Sequence, residues 1–202
     1  MLRNSRKRKE SCLSASSKCF PALQIDLTVQ LSMTIKNCVQ AVCDFFTNDV
    51  KGAMGEVFAQ KLHENMKVHD VYVDSEGTPT VIFELFTDPW MRNGHDIVHG
   101  GCLSTIVDFY STLSLAAEPS FWSNTDEPPV DDIMNVVGQM GVSRALSVQF
   151  IQAVPINTTV YVVSKLVSNT KRNIYFTCTI KDKSGKVLVT GTHDKVKVTA
   201  KL

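Results

Sequence analysis

One stretch of the chain has residue types and spacings that could do chemistry: Asn93-Gly94-His95-Asp96-Ile97-Val98-His99-Gly100-Gly101, running through Cys102-Leu103-Ser104-Thr105-Ile106-Val107 to Asp108. From His99 onward, apolar Leu103, Ile106, Val107, Phe109, Tyr110, Leu113 and Leu115 predict a largely buried helix reaching about Ala117. Two glycines at its head would cost up to about 1 kcal/mol each relative to alanine within a helix interior. Something else should favour them. Lacking Cβ atoms, they let a ligand approach the unpaired N–H groups of the first turn, where the helix dipole favours negative charge. Such a feature is an oxyanion hole, with close packing of backbone on a strand as the competing reason. Asp108 lies mid-helix, where an unpaired carboxylate is expensive to bury. Alone it reads as a residue facing water or a polar neighbour. Beside the glycines it becomes a carboxylate that could activate water or attack directly while backbone donors hold the oxyanion.

Gly100 and Asp108 are eight positions apart, hence about 12 Å along one helix at roughly 1.5 Å per residue. They are too far apart to act on one carbonyl from a single straight helix. The simplest arrangement pairs Gly100 of one chain with Asp108 of another across a two-fold dimer.

Asn93, His99-Gly100-Gly101 and Asp108 together resemble the signature of hotdog acyl-CoA thioesterases of the phenylacetyl-CoA thioesterase and thioesterase-superfamily-member-two kind. The resemblance runs from about Thr34 to Val198 and includes Gly141-Val142-Ser143 and Gly191-Thr192-His193. It implies an α+β hotdog fold, an antiparallel sheet wrapped around a central helix, in dimers that often pair into tetramers. It also implies hydrolysis of an acyl-CoA thioester to free acid and coenzyme A without a cofactor. Carried over, Asn93 would position the carbonyl or water, His99 would order the helix start, and the Gly100 N–H would hold the oxyanion, with Gly101 beside it on the substrate side. Asp108 would activate water and Ser143 would help place it, Ser147 being the alternative serine. Coenzyme A carries phosphates, so Lys171 and Arg172 at a strand connection are candidate partners, although a solvated surface pair is the plainer reading.

Two rival readings attach to the same stretch. His95 and His99 are spaced like a zinc-binding pair on one helical face, but Gly94 and Gly100 on either side argue against a continuous helix there, and no third ligand suggests itself. A hotdog hydratase or a non-catalytic acyl-CoA-binding subunit would keep the fold. Binding alone, however, does not need a water-activating carboxylate.

The elements that must position these residues follow from periodicity. Ile35, Cys38, Val39, Val42, Cys43 and Phe46 recur at helical spacing, and a short helix is expected from Gly55 to His63. Val68 to Val73 and Thr80 to Phe86, separated by Ser75-Glu76-Gly77, predict a hairpin. Glu118 to Asp132 reads as an exposed loop, and strands are expected around Leu146–Phe150, Val160–Val167, Ile174–Ile180 and Val187–Val198.

With 202 residues, 44% of them hydrophobic, the chain can bury one sizeable core, and its net charge of +1 removes the bulk electrostatic case for a nucleic-acid or membrane-surface protein. Six cysteines without a CxxC pair suggest neither a zinc cluster nor a disulfide framework, and point to a reducing compartment. Residues 1–32 form a basic, Ser-rich segment expected to be a disordered tail, with a targeting segment as the alternative and Leu23 to Leu31 alternating like an edge strand. The ending Ala200-Lys201-Leu202 resembles a peroxisomal address, with the mitochondrion as the alternative because of the basic start.

Overall fold

The computed structural model describes residues 34–55, 57–74 and 78–198. The basic tail over 1–32, the alternating run Leu23 to Leu31, the turn at Ser75-Glu76-Gly77 and the ending Ala200-Lys201-Leu202 lie outside the described residues.

Helix α1 (residues 34–44) buries Ile35, Val39, Val42 and Cys43 and continues through a wider π-type stretch, Phe45–Val50, into the turn Lys51–Met54. The expected second helix is shorter than its sequence window: α2 spans Gln60–Glu64, preceded by Ala59 in the left-handed region at φ 63°. The hairpin forms as read, with β1 at Met66–Val73 and β2 at Pro79–Phe86. After an irregular link come the central helix α3 (Gly100–Leu113) and a tighter 3-10 turn, Ser114–Ala117, matching the expected extent to Ala117.

The expected loop is only partly a loop. Within and beyond it, α4 (Val130–Gln139) was not anticipated, although Val130, Ile133, Met134 and Val137 recur at helical spacing and Asp131 and Asp132 sit in the first turn. The prolines at 128 and 129 hide it, because they read as loop while Pro129 in fact caps the helix from an extended conformation. Four strands follow: β3 (Val142–Phe150), β4 (Thr159–Asn169), β5 (Asn173–Lys181) and β6 (Val187–Val196).

All six strands pair antiparallel in the order β1-β2-β4-β5-β6-β3. Helix α3 lies across the inner face and buries Leu103, Ile106, Val107, Tyr110 and Leu113 against inward residues such as Phe83, Val162, Phe176 and Val189. This is the expected α+β architecture of a sheet around a helix. No described helix is long and apolar enough to cross a membrane.

The two edges of the sheet differ. At β1, α1 covers the edge: Lys36 Nζ donates to the His69 carbonyl at 2.7 Å and the Val68 N–H donates to Gln40 Oε1 at 3.4 Å. At β3, no described element pairs beyond the strand, and Val142 and Phe150 are 53% and 54% exposed. Leu146 and Phe150 pair with His193 and Val189, whose side chains are buried on the inner face. An apolar, unpaired edge of this kind is a surface suited to another strand.

Helix α3 is pressed onto β6 at Gly191. A Cβ there would meet Val107 Cγ1 at 2.7 Å and the Ser147 carbonyl oxygen at 3.1 Å. Gly191→Ala should therefore lift the helix and cost about 1–3 kcal/mol of stability by overpacking. Urea unfolding of the two chains measures this, and an unchanged midpoint would show that the contact relaxes freely.

Candidate functional site

The link before α3 is tied down by backbone pairing. The His99 N–H donates to the Met91 carbonyl at 2.7 Å, Val98 to Val154 at 2.9 Å, and Asn93 to Ile97 at 2.8 Å. Asp96 takes a left-handed φ of 60° to close this turn. The His95 N–H donates to Asn93 Oδ1 at 2.8 Å, so the Asn93 carbonyl oxygen is engaged within the loop and its Nδ2 is left as donor. Asn93 can thus offer a hydrogen bond to a substrate carbonyl. His95 sits in the turn while His99 caps the helix, so the two do not share one helical face.

His99 occupies the N-cap, where its Nδ1 accepts the Gly101 N–H at 2.9 Å. That contact explains the second glycine, since a Cβ on Gly101 would lie 3.0 Å from the same Nδ1. The first glycine has a different surrounding. The space a Gly100 Cβ would fill faces the Phe150 ring at 3.4 Å, and among the described residues its N–H has no protein acceptor. Gly100, Asn93, Val98, Leu103 and Phe150 line a cleft of about 280 Å³. The helix head therefore presents an available N–H, with the positive end of the helix dipole behind it, to that cleft.

Two turns along α3, Asp108 stands in a polar cluster. Its Oδ1 accepts from Ser143 Oγ at 2.9 Å and lies 3.1 Å from His193 Nε2. His193 Nε2 is also 2.9 Å from Ser143 Oγ, and its Nδ1 is 2.7 Å from Ser111 Oγ. Lys195 Nζ donates to Ser143 Oγ at 3.4 Å. His193 and Lys195 are buried, whereas the Asp108 side chain is 44% exposed. Among the described residues Oδ2 has no partner. One carboxylate oxygen is thus fixed by donors and the other is presented outward, as a general base requires.

Burial, reinforced by the Lys195 charge and only partly opposed by Asp108, pushes His193 down to about 4. The contact to Asp108 is therefore made by an uncharged imidazole at neutral pH, despite its ion-pair distance. Burial also lowers the Lys195 ammonium, against the pull of Asp108.

The structure brings Asp108 and Ser143 together and places Ser147 elsewhere, in a depression with Gln149, Thr190 and Thr192. Register explains this: the shift between Ser143 and Ala145 turns Ser143 inward, opposite Lys195, and Ser147 outward, opposite Thr192. Gly141 makes the approach, with φ 61° and a would-be Cβ only 2.4 Å from the Val196 carbonyl oxygen. Lys171 and Arg172 lie exposed on the β4–β5 turn and do not line the Gly100 cleft. A second cleft of about 430 Å³ adjoins that one through Gln152 and Ala153 and carries Lys183 and Lys186 on the β5–β6 turn. Ser111 and Lys195 were not singled out from sequence, and His193 was named there only as the end of the Gly191-Thr192-His193 segment, with no role. The available signals were polar residues on the inward face of β6 and a serine three positions after Asp108 on the same helical face.

Comparison with known proteins bears on the fold. The family model of the thioesterase superfamily matches residues 95–189. Among solved structures, zebra fish thioesterase superfamily member 2 is similar at 17% identity and a TM-score of 0.57, over 79% of this chain and 98% of that one. The mouse member 2 gives 19%, 0.55, 79% and 97%. The E. coli PaaI protein from the phenylacetic acid degradation operon gives 14%, 0.54, 84% and 96%. No curated protein matches the chain. The thioesterase-superfamily segment and the hotdog fold are those that the sequence resemblance implied.

Two buried histidines make the fold acid-sensitive. Burial holds His63, whose ring lies 3.8 Å from that of Phe109, at about 4, as it does His193, against an ordinary 6.5. Between these values the unfolded chain takes up protons that the native one refuses, so stability is full above pH 6.5 and falls as pH drops to about 4. Urea midpoints across that range should show a proton uptake on unfolding that approaches two, one per histidine. His63→Leu should remove about one of them. A flat profile would contradict both.

Proposed function

We propose that the protein hydrolyses acyl-CoA thioesters to the free acid and coenzyme A, in sites completed between two copies of the chain. The observation that carries this reading is the division of the carboxylate. Asp108 Oδ1 is held by Ser143 and His193 while Oδ2 faces outward, on the helix whose head offers the Gly100 N–H beside the Asn93 amide.

In the proposed reaction, Asp108 Oδ2 accepts a proton from water as the water oxygen bonds to the thioester carbonyl carbon. The carbonyl π-electrons move to oxygen, where the Gly100 N–H and Asn93 Nδ2 hold the developing charge. Collapse restores the carbonyl, breaks the C–S bond and returns the proton from Asp108 to the departing sulfur. Ser143 orients the carboxylate and the water, and His99 keeps the helix head in register through its bond to Gly101.

Pairing of chains is supported by the open β3 edge and by the apolar Val142, Leu146, Phe150 and Ile151 along it. A second β3 would satisfy the edge and cover those side chains. Gly100 and Asp108 are separated by about 12 Å of helix, and the Gly100 cleft does not contain Asp108, so a partner's Asp108 is the one that could reach it. For the phosphates of coenzyme A, Lys183 and Lys186 in the adjoining cleft are better placed relative to Gly100 than Lys171 and Arg172.

Asp108→Asn and Asn93→Ala chains should each lose at least about a hundredfold in kcat on acyl-CoA substrates. Refolded together in equal amounts, they should recover about a quarter of wild-type activity, because half the dimers are mixed and each has one intact site. A shared site requires this complementation, whereas a site within one chain would give none. Unchanged turnover in Asp108→Asn alone would sink the hydrolytic reading, and retained acyl-CoA binding without turnover in the wild type would favour a binding subunit. Replacing Lys183 and Lys186 with glutamate should raise KM about tenfold while leaving kcat in place. The acyl-CoA titration that gives KM checks this directly.

A further inference from the structure

His193 has no exposed surface, and both its ring nitrogens face polar atoms, so the position of its ring proton decides which contacts can form. Burial keeps the imidazole neutral, with one proton to place. Three acceptor-capable atoms form a triangle: Asp108 Oδ1, Ser143 Oγ and His193 Nε2, separated by 2.9, 2.9 and 3.1 Å. Suppose the ring proton is on Nδ1. The Nε2 lone pair then faces Oδ1 with no hydrogen between them, and the single Ser143 proton can serve only one of the two. With the proton on Nε2, every edge of the triangle is satisfied: Nε2–H points to Oδ1 and Ser143 Oγ, and Ser143 donates to Oδ1. Lys195 Nζ, donating to Ser143 Oγ at 3.4 Å, leaves that hydroxyl proton free for the carboxylate.

The Nε2–H form leaves a bare lone pair on Nδ1, buried beside Ser111 Oγ at 2.7 Å. Ser111 has one proton and two acceptors in reach, that nitrogen and the Asp108 main-chain oxygen at 3.1 Å. The latter already accepts from Thr112 Oγ1 at 2.7 Å, so the Ser111 proton goes to the nitrogen without orphaning the carbonyl. We infer that Ser111 is a positioning residue. Its hydroxyl donates to His193 Nδ1, holds the imidazole as the Nε2–H tautomer, and so keeps Asp108 Oδ1 engaged and Oδ2 available to water. This rests on the hydrolytic reading for its consequence, though not for the tautomer itself.

The test uses the full chain labelled with 15N-histidine. At neutral pH, His193 in the wild type should show a pyridine-like Nδ1 and a pyrrole-like Nε2, and the opposite pattern overturns the assignment. Ser111→Ala should lower kcat about tenfold, on the scale of one lost hydrogen bond, with KM unchanged because Ser111 does not meet the substrate. Ser111→Thr, which keeps the hydroxyl, should restore the rate. If Ser111→Ala fails to fold, the wild-type tautomer and the threonine variant still decide. An inactive Asp108→Asn chain beside a Ser111→Ala chain of undiminished kcat overturns the role of Ser111 alone. An active Asp108→Asn chain overturns the hydrolytic reading instead.

Discussion

Helix α3 meets β6 where the strand has no side chain, with Val107 Cγ1 at 2.7 Å from the place a Gly191 Cβ would take. That approach sets the reach of everything around it. Asp108 follows Val107, Ser111 lies one turn further on, and His193 is the next inward residue of β6 after Gly191. Their short contacts exist because two backbones are closer than side chains at that crossing would normally permit. The same glycine therefore sets both the helix packing and the spacing of the polar cluster.

A polar cluster inside an apolar shell is costly unless every donor and acceptor is matched. Here the buried Ser111, His193 and Lys195 are matched with the help of the exposed Ser143, in a chain of contacts ending on Asp108 Oδ1. His193 stays uncharged because burial and Lys195 outweigh the carboxylate. An imidazolium would hold Asp108 more tightly but would oppose its gaining a proton from water. A neutral ring orients the carboxylate without spending its basicity, which is the condition a general base needs.

The strands, the central helix and the first helix were legible because their apolar periods are long and clean, as in Ile35 to Phe46 and Val160 to Val167. Helix α4 was not, because two prolines precede a short amphipathic stretch that reads as the end of a loop. The site divides in the same way. Gly100 and Asp108 announce themselves through residue types that are expensive where they stand, whereas Asn93 and His99 were reached only through the family resemblance. Ser143 could be separated from Ser147 only by the register shift in β3. His193 and Lys195 are polar residues on an inward strand face, and their partners come from 82 and 52 positions away. A linear pattern carries no record of that distance. The glycines likewise disclosed that backbone was needed bare, but not that one lies against the Phe150 ring and the other against a histidine cap.

The two sheet edges follow the same logic as the helix. The edge at β1 is closed by α1 through side-chain bonds to strand backbone, which removes it as a template for other strands. The edge at β3 carries Ser143 and Phe150, and Phe150 faces the Gly100 cleft. Closing it with a helix of its own chain would cover the cleft at one end and the carboxylate cluster at the other. In the proposed pairing, a strand from a second copy would instead run antiparallel and exchange the two ends, bringing one chain's helix head toward the other's carboxylate. The proposed pairing thus solves an edge problem and a distance problem with one contact. It would also cover the apolar residues that β3 exposes in the single chain.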